Sequence, residues 1–278
     1  RRAPEPSQRR APQQTHAHAD MHLLDLGLTL APPAPAPAPR VLVCGDADFA
    51  YSIALGRSLG SGSFVHTSAY EEEAELLSRY PHAAVAIEQL RGQGASVRCG
   101  VDARRLAAHY GEGATFDRIV FNLPQSPPQP KARNQIQRHR ALLRDFCSSA
   151  ATHLVPRGQL WITLLAGQGG TPQDPIQRAA GDTWMLAHEA AAAGLLVRSV
   201  HAVDLDALEA AGYTPTGRRS EGKRLGERRK AKGLVAHVLE AARPSDGPHA
   251  PVGVAPLEWT LDNSFWLDGD AAAAPPSP

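Results

Sequence analysis

Three cysteines in 278 residues, Cys44, Cys99 and Cys147, are too few, too far apart and odd in number for a disulfide framework. None sits in a C-x-x-C or His-rich spacing, so a structural zinc site finds no ligand set. Such cysteine usage fits a reducing compartment. Charge of one sign is also scarce: 29 Lys and Arg face 28 Asp and Glu, and the net charge of +1 excludes a globally basic, histone-like binder. No apolar run approaches the roughly 18 residues that span a bilayer. G-x-x-x-x-G-K-[ST], G-x-S-x-G and H-E-x-x-H are missing, which leaves NTPase, serine-hydrolase and zinc-protease readings without support.

What is present is a 42% hydrophobic chain, enough for a sizeable core, with its prolines pushed to the ends. Eight prolines lie in residues 1–39 and seven in 244–278, so nine serve the long middle. Residues 31–39 (APPAPAPAP) read as a stiff polyproline spacer, and AAAAPPSP at the other end is similarly low in complexity. The expected organisation is a Pro/Ala/Arg-rich leader over 1–39, a folded unit over 40–242 and a low-complexity tail over 243–278. The Arg-rich, acid-poor start also has the composition of an organelle transit segment.

Within the folded unit, short apolar runs alternate with helical patterns. Strands are expected at Arg40–Cys44, Phe64–Ser68, Ala95–Cys99, Phe116–Asn122, Gln159–Leu165, Leu195–Val203 and Leu234–Leu239. Helices are expected over 49–59, 71–79, 82–93, 136–154 and 187–193, the last closed by Gly194. Pro156-Arg157-Gly158 reads as a stop between helix and strand. This alternation implies right-handed crossovers and an α/β, doubly wound, mostly parallel sheet.

In such a sheet ligands lie beyond the carboxyl ends of the strands. After the first strand comes Gly45-Asp46-Ala47-Asp48-Phe49, where Gly45 allows a sharp turn and a helix N-terminus follows. It is not G-x-G-x-x-G. Two carboxylates would repel a pyrophosphate, which disfavours NAD or FAD and suits a cationic cofactor such as S-adenosylmethionine. The competing reading is that Asp46 or Asp48 only caps the helix. Glu71, 26 residues past Gly45, stands where a ribose-hydroxyl ligand falls in Rossmann-like folds, although Glu71 to Glu73 also suit a helix dipole. Asp102 follows the third strand, either to accept from an adenine amino group or to cap. Asn122-Leu123-Pro124-Gln125 follows the fourth; its amide and stiffened carbonyls can hold a nucleobase nitrogen, or be an ordinary proline-ended turn.

Taken in order, VLVCGDADFAYS from Val41, SRYP from Ser78, GVDA from Gly100, FDRIVFNLP from Phe116, ALLRDFCSSAATHLVPRGQLWITL from Ala141, Trp184 and AGYTPTGRRSEG from Ala211 form one set. It resembles the Rossmann-like family of large-subunit (25S-type) rRNA uridine-N(3) methyltransferases, over about Arg40 to Gly222. A related domain precedes the ferredoxin-fold anticodon-binding domain in another family. The resemblance implies a class I methyltransferase fold, S-adenosylmethionine as methyl donor and a uridine of large-subunit rRNA, or the pre-ribosome, as partner. It further implies cofactor contacts from Gly45, Asp46, Asp48, Phe49, Glu71 and Asp102, with Asn122, Leu123 and Pro124 orienting the attacking ring nitrogen. Asp46, Ala47, Ala50 and Gln125 depart from that family's Glu, Gly, Ser and His, and 167–182 looks like an insertion.

Arg218 to Lys232 holds eight Lys and Arg against two Glu. Arg218, Arg219, Lys223 and Arg224 there, with Arg138 and Arg140 beside the Asn122 turn, are the candidate RNA contacts. A nuclear or nucleolar address and a solvated charged loop are the other readings of the basic segment. The expected compartment is the nucleolus, with cytoplasm or an organelle as alternatives. No metal and no membrane partner is expected. His139 lies in the same basic group, as a base or as an ordinary surface histidine. Two rivals to the enzyme reading are a non-catalytic RNA-binding or assembly factor on the same fold and, disfavoured by the acidic loop, a nucleotide-dependent oxidoreductase.

Overall fold

A computed structural model of the protein describes residues 39–126, 134–213, 215 and 233–243. One seven-stranded sheet organises them, in the order β3-β2-β1-β4-β5-β7-β6. The strands are β1 (Val41–Cys44), β2 (Val65–Ser68), β3 (Ser96–Arg98), β4 (Phe116–Asn122), β5 (Leu154–Leu165), β6 (Leu195–Val203) and β7 (Leu234–Ala241). All pairings from β3 through β5 are parallel, whereas β7 runs antiparallel to both β5 and β6. The expected mostly parallel, doubly wound α/β sheet is therefore present, with a reversed strand slotted one place in from its edge.

Burial explains why these segments are strands. All four residues of β1 are buried, so VLVC is uniformly apolar rather than alternating. On one face lie α1 (Ala50–Ser58), α2 (Glu73–Arg79) and α3 (Ala83–Gly92), sharing a core with Val41, Val43, Val120 and Trp161. The opposite face is covered by α4 (Leu106–Tyr110), α5 (Gln135–Ala151) and α6 (Leu186–Ala191), packed on Leu42, Cys44, Ile119 and Ile162. A short α7 (Leu205–Ala210) returns to the first face, where Leu208 is buried. In α5 the buried residues His139, Leu142, Leu143, Phe146, Cys147 and Ala150 follow one helical stripe.

Two boundaries differ from the sequence expectation. Helix α5 stops at Ala151 because Thr152 Oγ1 donates to the Ser149 carbonyl and His153 Nδ1 lies 2.8 Å from the same oxygen. Those side chains take over the last turn's acceptor. The Pro156-Arg157-Gly158 stop lies inside β5, where the ladder jumps from Leu154 opposite Phe116 to Gln159 opposite Arg118. Arg157 takes a left-handed φ of 68°, and a Cβ on Gly158 would stand 2.9 Å from the Val155 carbonyl, so the stop is a bulge.

The segment after β5, an apparent insertion in the sequence, is folded onto β7. Asp174 Oδ2 accepts from the Thr171 amide at 2.9 Å, and Asp174 Oδ1 lies 3.6 Å from Nε2 of the fully buried His237. Against the raising effect of its burial, the His237 ring 3.6 Å away and the hydrogen bond from the Thr171 amide hold the Asp174 carboxyl below the usual carboxylate range. Among the described residues no helix is long and apolar enough to cross a membrane.

Candidate functional site

A cleft opens at the carboxyl ends of β1 to β4. Its floor is the turn after β1. Gly45 has a φ of 68°, and a Cβ there would lie 2.7 Å from Cε2 of Phe121, so both backbone and space demand glycine. Asp46 then turns inward: its amide donates to the Ser68 carbonyl, and its Oδ2 accepts from the Ser52 amide at 2.8 Å and the Ser52 hydroxyl at 2.6 Å. Burial, reinforced by the nearby Asp48 charge and opposed by the Ser52 hydrogen bonds, raises the Asp46 carboxyl from 3.8 to about 7. Asp48 Oδ1 accepts from the Ala50 amide at 3.2 Å, so both acids reach the start of α1 and both still line the cleft.

Phe49 departs from its expected role. Its left-handed φ of 59° swings the ring into the core, where it is fully buried and absent from the cleft wall. It anchors the turn from below.

The acids after β2 and β3 do line the cleft, each beside an arginine. Glu71 is 5% exposed and accepts from Arg79 Nη1 at 2.7 Å. Asp102 caps the turn through the Arg104 amide at 3.0 Å and pairs with the Arg104 guanidinium at 2.7 Å. That pairing holds the Asp102 carboxyl below its ordinary value. Between them Tyr70, 43% exposed, presents its ring to the cleft. Tyr70 and Arg104 were not singled out in the sequence, although an aromatic directly before Glu71 was a signal.

The opposite wall begins at β4. Asn122 Oδ1 accepts from the Thr163 hydroxyl at 2.7 Å, and its Nδ2 is enclosed beside the Tyr51 hydroxyl. The oxygen expected to receive a substrate N–H thus already serves a protein donor. Leu123 takes a left-handed φ of 49°, fixed by its amide donating to the Thr163 carbonyl at 2.8 Å. Leu123 lines the cleft, whereas Pro124 is buried behind it. Gln125 is exposed on the wall, 3.4 Å from Nε2 of His139. His139 is no surface histidine: it is 2% exposed and stacks on Trp184 with ring centroids 4.2 Å apart. Tyr213 closes the cleft beyond Asp46 and meets Tyr51 edge-on at 5.1 Å.

One continuous cleft therefore joins a two-carboxylate turn, an acid after each of the next two strands, and an Asn-Leu-Pro-Gln turn. A family model described as rRNA (uridine-N3-)-methyltransferase, BMT5-like, matches residues 42–216, more than half of the chain. The chain belongs to the BMT5-like family. Its sheet, with one antiparallel strand inserted beside the last, is of the class I methyltransferase type. This BMT5-like chain is 31% identical over 209 residues to human ferredoxin-fold anticodon-binding domain-containing protein 1, covering 75% of itself and 32% of that protein. It is 28% identical over 127 residues to heavy metal-associated isoprenylated plant protein 41 of Arabidopsis thaliana, covering 45% and 25%. The chain spans about a third of the length of the human relative. Among solved structures it is similar to TrmN from Thermus thermophilus, with a TM-score of 0.46, 18% identity, and coverage of 80% and 48%.

The basic residues of this BMT5-like chain divide. Arg218, Arg219, Lys223 and Arg224 lie outside the described residues. Arg138, half-buried on α5, has its Nε and Nη1 enclosed. Arg140 does not take its expected place. It is 7% exposed, and its Nε and Nη2 donate to the carbonyls of Thr183 and Ala180 at 3.0 and 2.6 Å. A guanidinium committed to main-chain acceptors ties α5 to the 166–185 segment and offers nothing to a phosphate. Among the described residues no cluster of three or more His, Cys, Asp or Glu is arranged to hold a metal.

Proposed function

We propose that the protein is an S-adenosylmethionine-dependent methyltransferase acting on N3 of a uridine in large-subunit rRNA. The observation that carries the reading is the single cleft shared by the Gly45–Asp48 turn and the Asn122–Gln125 turn. The residues fit the cofactor: the left-handed turn at Gly45 brings Asp46 and Asp48 to the cleft, and the two carboxyls favour a cation over a pyrophosphate. Glu71 and Asp102 are the acceptors for ribose hydroxyls and an adenine amino group, and Tyr70 offers a flat apolar face. When bound there, S-adenosylmethionine would supply an electrophilic methyl to the uracil N3, whose proton would leave to solvent as the N3–C bond replaced the C–S bond.

The chain's contribution is placement. Thr163 fixes the Asn122 amide and the Leu123 backbone together, so the turn meets the target ring as a rigid edge. Holding two reactants in line accounts for much of such a rate enhancement. A base in folded RNA would be splayed out to enter the cleft. The same reading assigns the protein to the nucleolus, with the 218–232 basic segment contacting phosphates.

Titration calorimetry with S-adenosylhomocysteine tests the cofactor half, using NAD as control and Glu71→Ala as comparison. Saturable binding weakened by Glu71→Ala supports the reading; absent binding by folded protein returns the protein to a non-catalytic RNA-binding role. Incubating the full chain with unmodified large-subunit rRNA and S-adenosylmethionine, then measuring 3-methyluridine by mass spectrometry, tests the acceptor half.

A further inference from the structure

On the α4 side of the sheet two exposed arginines lie over aromatic rings. Arg40 enters β1, with its guanidinium carbon 5.1 Å from the centre of the Phe116 ring. Arg98 ends β3, with its guanidinium carbon 4.7 Å from the centre of the Tyr110 ring. Phe116 and Tyr110 meet edge-on at 5.7 Å, and His66 meets Phe116 in the same way at 5.2 Å. Strand register explains the grouping. His66 stands opposite Leu42 on β1 and Ser96 on β3, so it shares the face of Leu42, as does Arg98 two positions past Ser96.

Both charges act on one imidazole: burial, then Arg40, then Arg98 push the half-buried His66 ring below its ordinary value. Among the described residues neither guanidinium forms an ion pair. Asp117 Oδ2 accepts from the Arg40 amide at 2.7 Å, not from its side chain. Arg98 spends one N–H on the His109 carbonyl, out of the five that a guanidinium carries. Contact with an aromatic ring holds such a side chain in place but leaves its charge uncompensated by any anion. Arg79, Arg104 and Arg144 differ in this respect, each having a carboxylate oxygen at 2.7 Å. The two unpaired cations also do not converge. Arg40 lies five positions before Gly45, about 16 Å at the ordinary rise of a strand, whereas Arg98 lies four positions before Asp102 of the cleft. A single small anion cannot meet both; a chain of regularly repeated anions can.

We infer that Arg40 and Arg98 form a docking surface for the sugar–phosphate backbone of RNA, beside the cleft and in addition to the 218–232 segment. The inference takes from the reading above only that the partner is an RNA; it needs neither the cofactor nor methyl transfer. Phosphate contacts of this kind fix where a nucleic acid lies without reading its sequence.

Filter binding of the full chain to an unmodified large-subunit rRNA transcript, titrated at several salt concentrations, tests it. Arg40→Gln with Arg98→Gln should weaken binding about tenfold and make the slope of log affinity against log salt shallower by about two. Arg40→Lys with Arg98→Lys keeps both charges and should keep the wild-type slope. Arg91→Gln with Arg198→Gln removes the same charge from positions paired with Glu73 at 3.7 Å and Glu240 at 3.9 Å, and should change affinity less than about twofold. A folded Gln pair with the wild-type slope overturns the inference, as does a Lys pair as weak as the Gln pair or an equal loss in the Arg91 and Arg198 control. If the Gln pair does not fold, Arg98→Gln alone decides, with an expected slope change of about one. Poly-glutamate held as tightly as the transcript by the same arginines would make the partner an acidic protein and sink the choice of RNA. Measuring 3-methyluridine with the same wild-type protein separates this inference from the enzyme reading. Methylation with RNA binding untouched in the Gln pair removes the docking surface alone. RNA bound through these arginines without methylation keeps the surface and removes the enzyme, and a wild type that binds no RNA removes both.

Discussion

The two walls of the cleft are built differently. On the proposed cofactor side each key carboxylate is fixed by a residue close in sequence: Asp46 by Ser52, Glu71 by Arg79 and Asp102 by Arg104, six, eight and two positions apart. On the proposed acceptor side Asn122 is held by Thr163 and Arg140 by Thr183, 41 and 43 positions away. The first wall is largely made by three short loops following three strands. The second exists only once β4, β5, α5 and the 166–185 segment have come together. Changes in the first should show as lost cofactor affinity, and distant changes in the second as lost transfer with cofactor affinity kept.

The largest expected effect is at the floor of the first wall. Gly45→Ala combines a left-handed backbone with a Cβ 2.7 Å from Phe121 and should cost about 2–5 kcal/mol of stability. Gly60→Ala, with a φ of 69° but open space around it, should cost only about 1–2 kcal/mol in the same denaturant titration. Asn122→Ala is next and breaks the second wall: methyl transfer should drop about 100-fold, roughly 2.7 kcal/mol, with S-adenosylhomocysteine affinity intact. A folded Asn122→Ala variant that no longer binds the cofactor product would contradict this division of labour. Arg140→Met should remove about 1–3 kcal/mol by orphaning the main-chain acceptor at Thr183. It should also slow transfer without changing RNA affinity, measured by filter binding at several salt concentrations. Were RNA binding to weaken with a smaller salt slope, Arg140 would be a phosphate contact after all. Glu71→Ala, on the first wall, should weaken S-adenosylhomocysteine binding by about tenfold, one hydrogen-bonded carboxylate's worth.

The smallest effect is a pH dependence. The Asp46 carboxyl is raised from 3.8 to about 7 in the folded protein, so between those values the folded state holds a proton that the unfolded state has lost. Its share of stability is therefore present at low pH and declines as pH rises from about 4 to about 7. The difference in melting temperature between wild type and Asp46→Asn should shift in favour of the Asn variant across that window. Binding of the cationic cofactor should move oppositely, tightening in the wild type as pH rises through about 7 while the Asn variant stays flat. Parallel pH curves for the two proteins would show that Asp46 titrates elsewhere.

The same contrast explains what the sequence disclosed. The strand-end acids and the Asn-Leu-Pro-Gln turn were readable because each is a contiguous motif directly after an apolar run, and the fold places those ends together. The six strands from β1 to β6 and the last strand were likewise visible in their apolar character. Direction was not: nothing in LVAHVL says that β7 runs against its neighbours. Phe49 was misplaced because motif position carries no information on φ, and a left-handed backbone turned its ring inward. Arg140 misled because a cation near a basic cluster reads as exposed, whereas its helical phase, one step from His139, points it into the interior. The pairing of His139 with Trp184 and Gln125 spans distances that only the tertiary fold closes.

The place of β7 in the sheet also fixes an order of events during synthesis. Among the described residues β6 pairs with no strand other than β7, and the outer edge of β5 is filled by β7 as well. While the chain is still emerging, residues 195–203 have no sheet to join, and Gln159–Leu165 offers an open, apolar edge of the kind that recruits other chains. A nascent chain stopped anywhere before Leu234 thus lacks a partner for β6 as well as β7 itself, and among the described residues the sheet beyond β5 is completed only by the eight residues of β7.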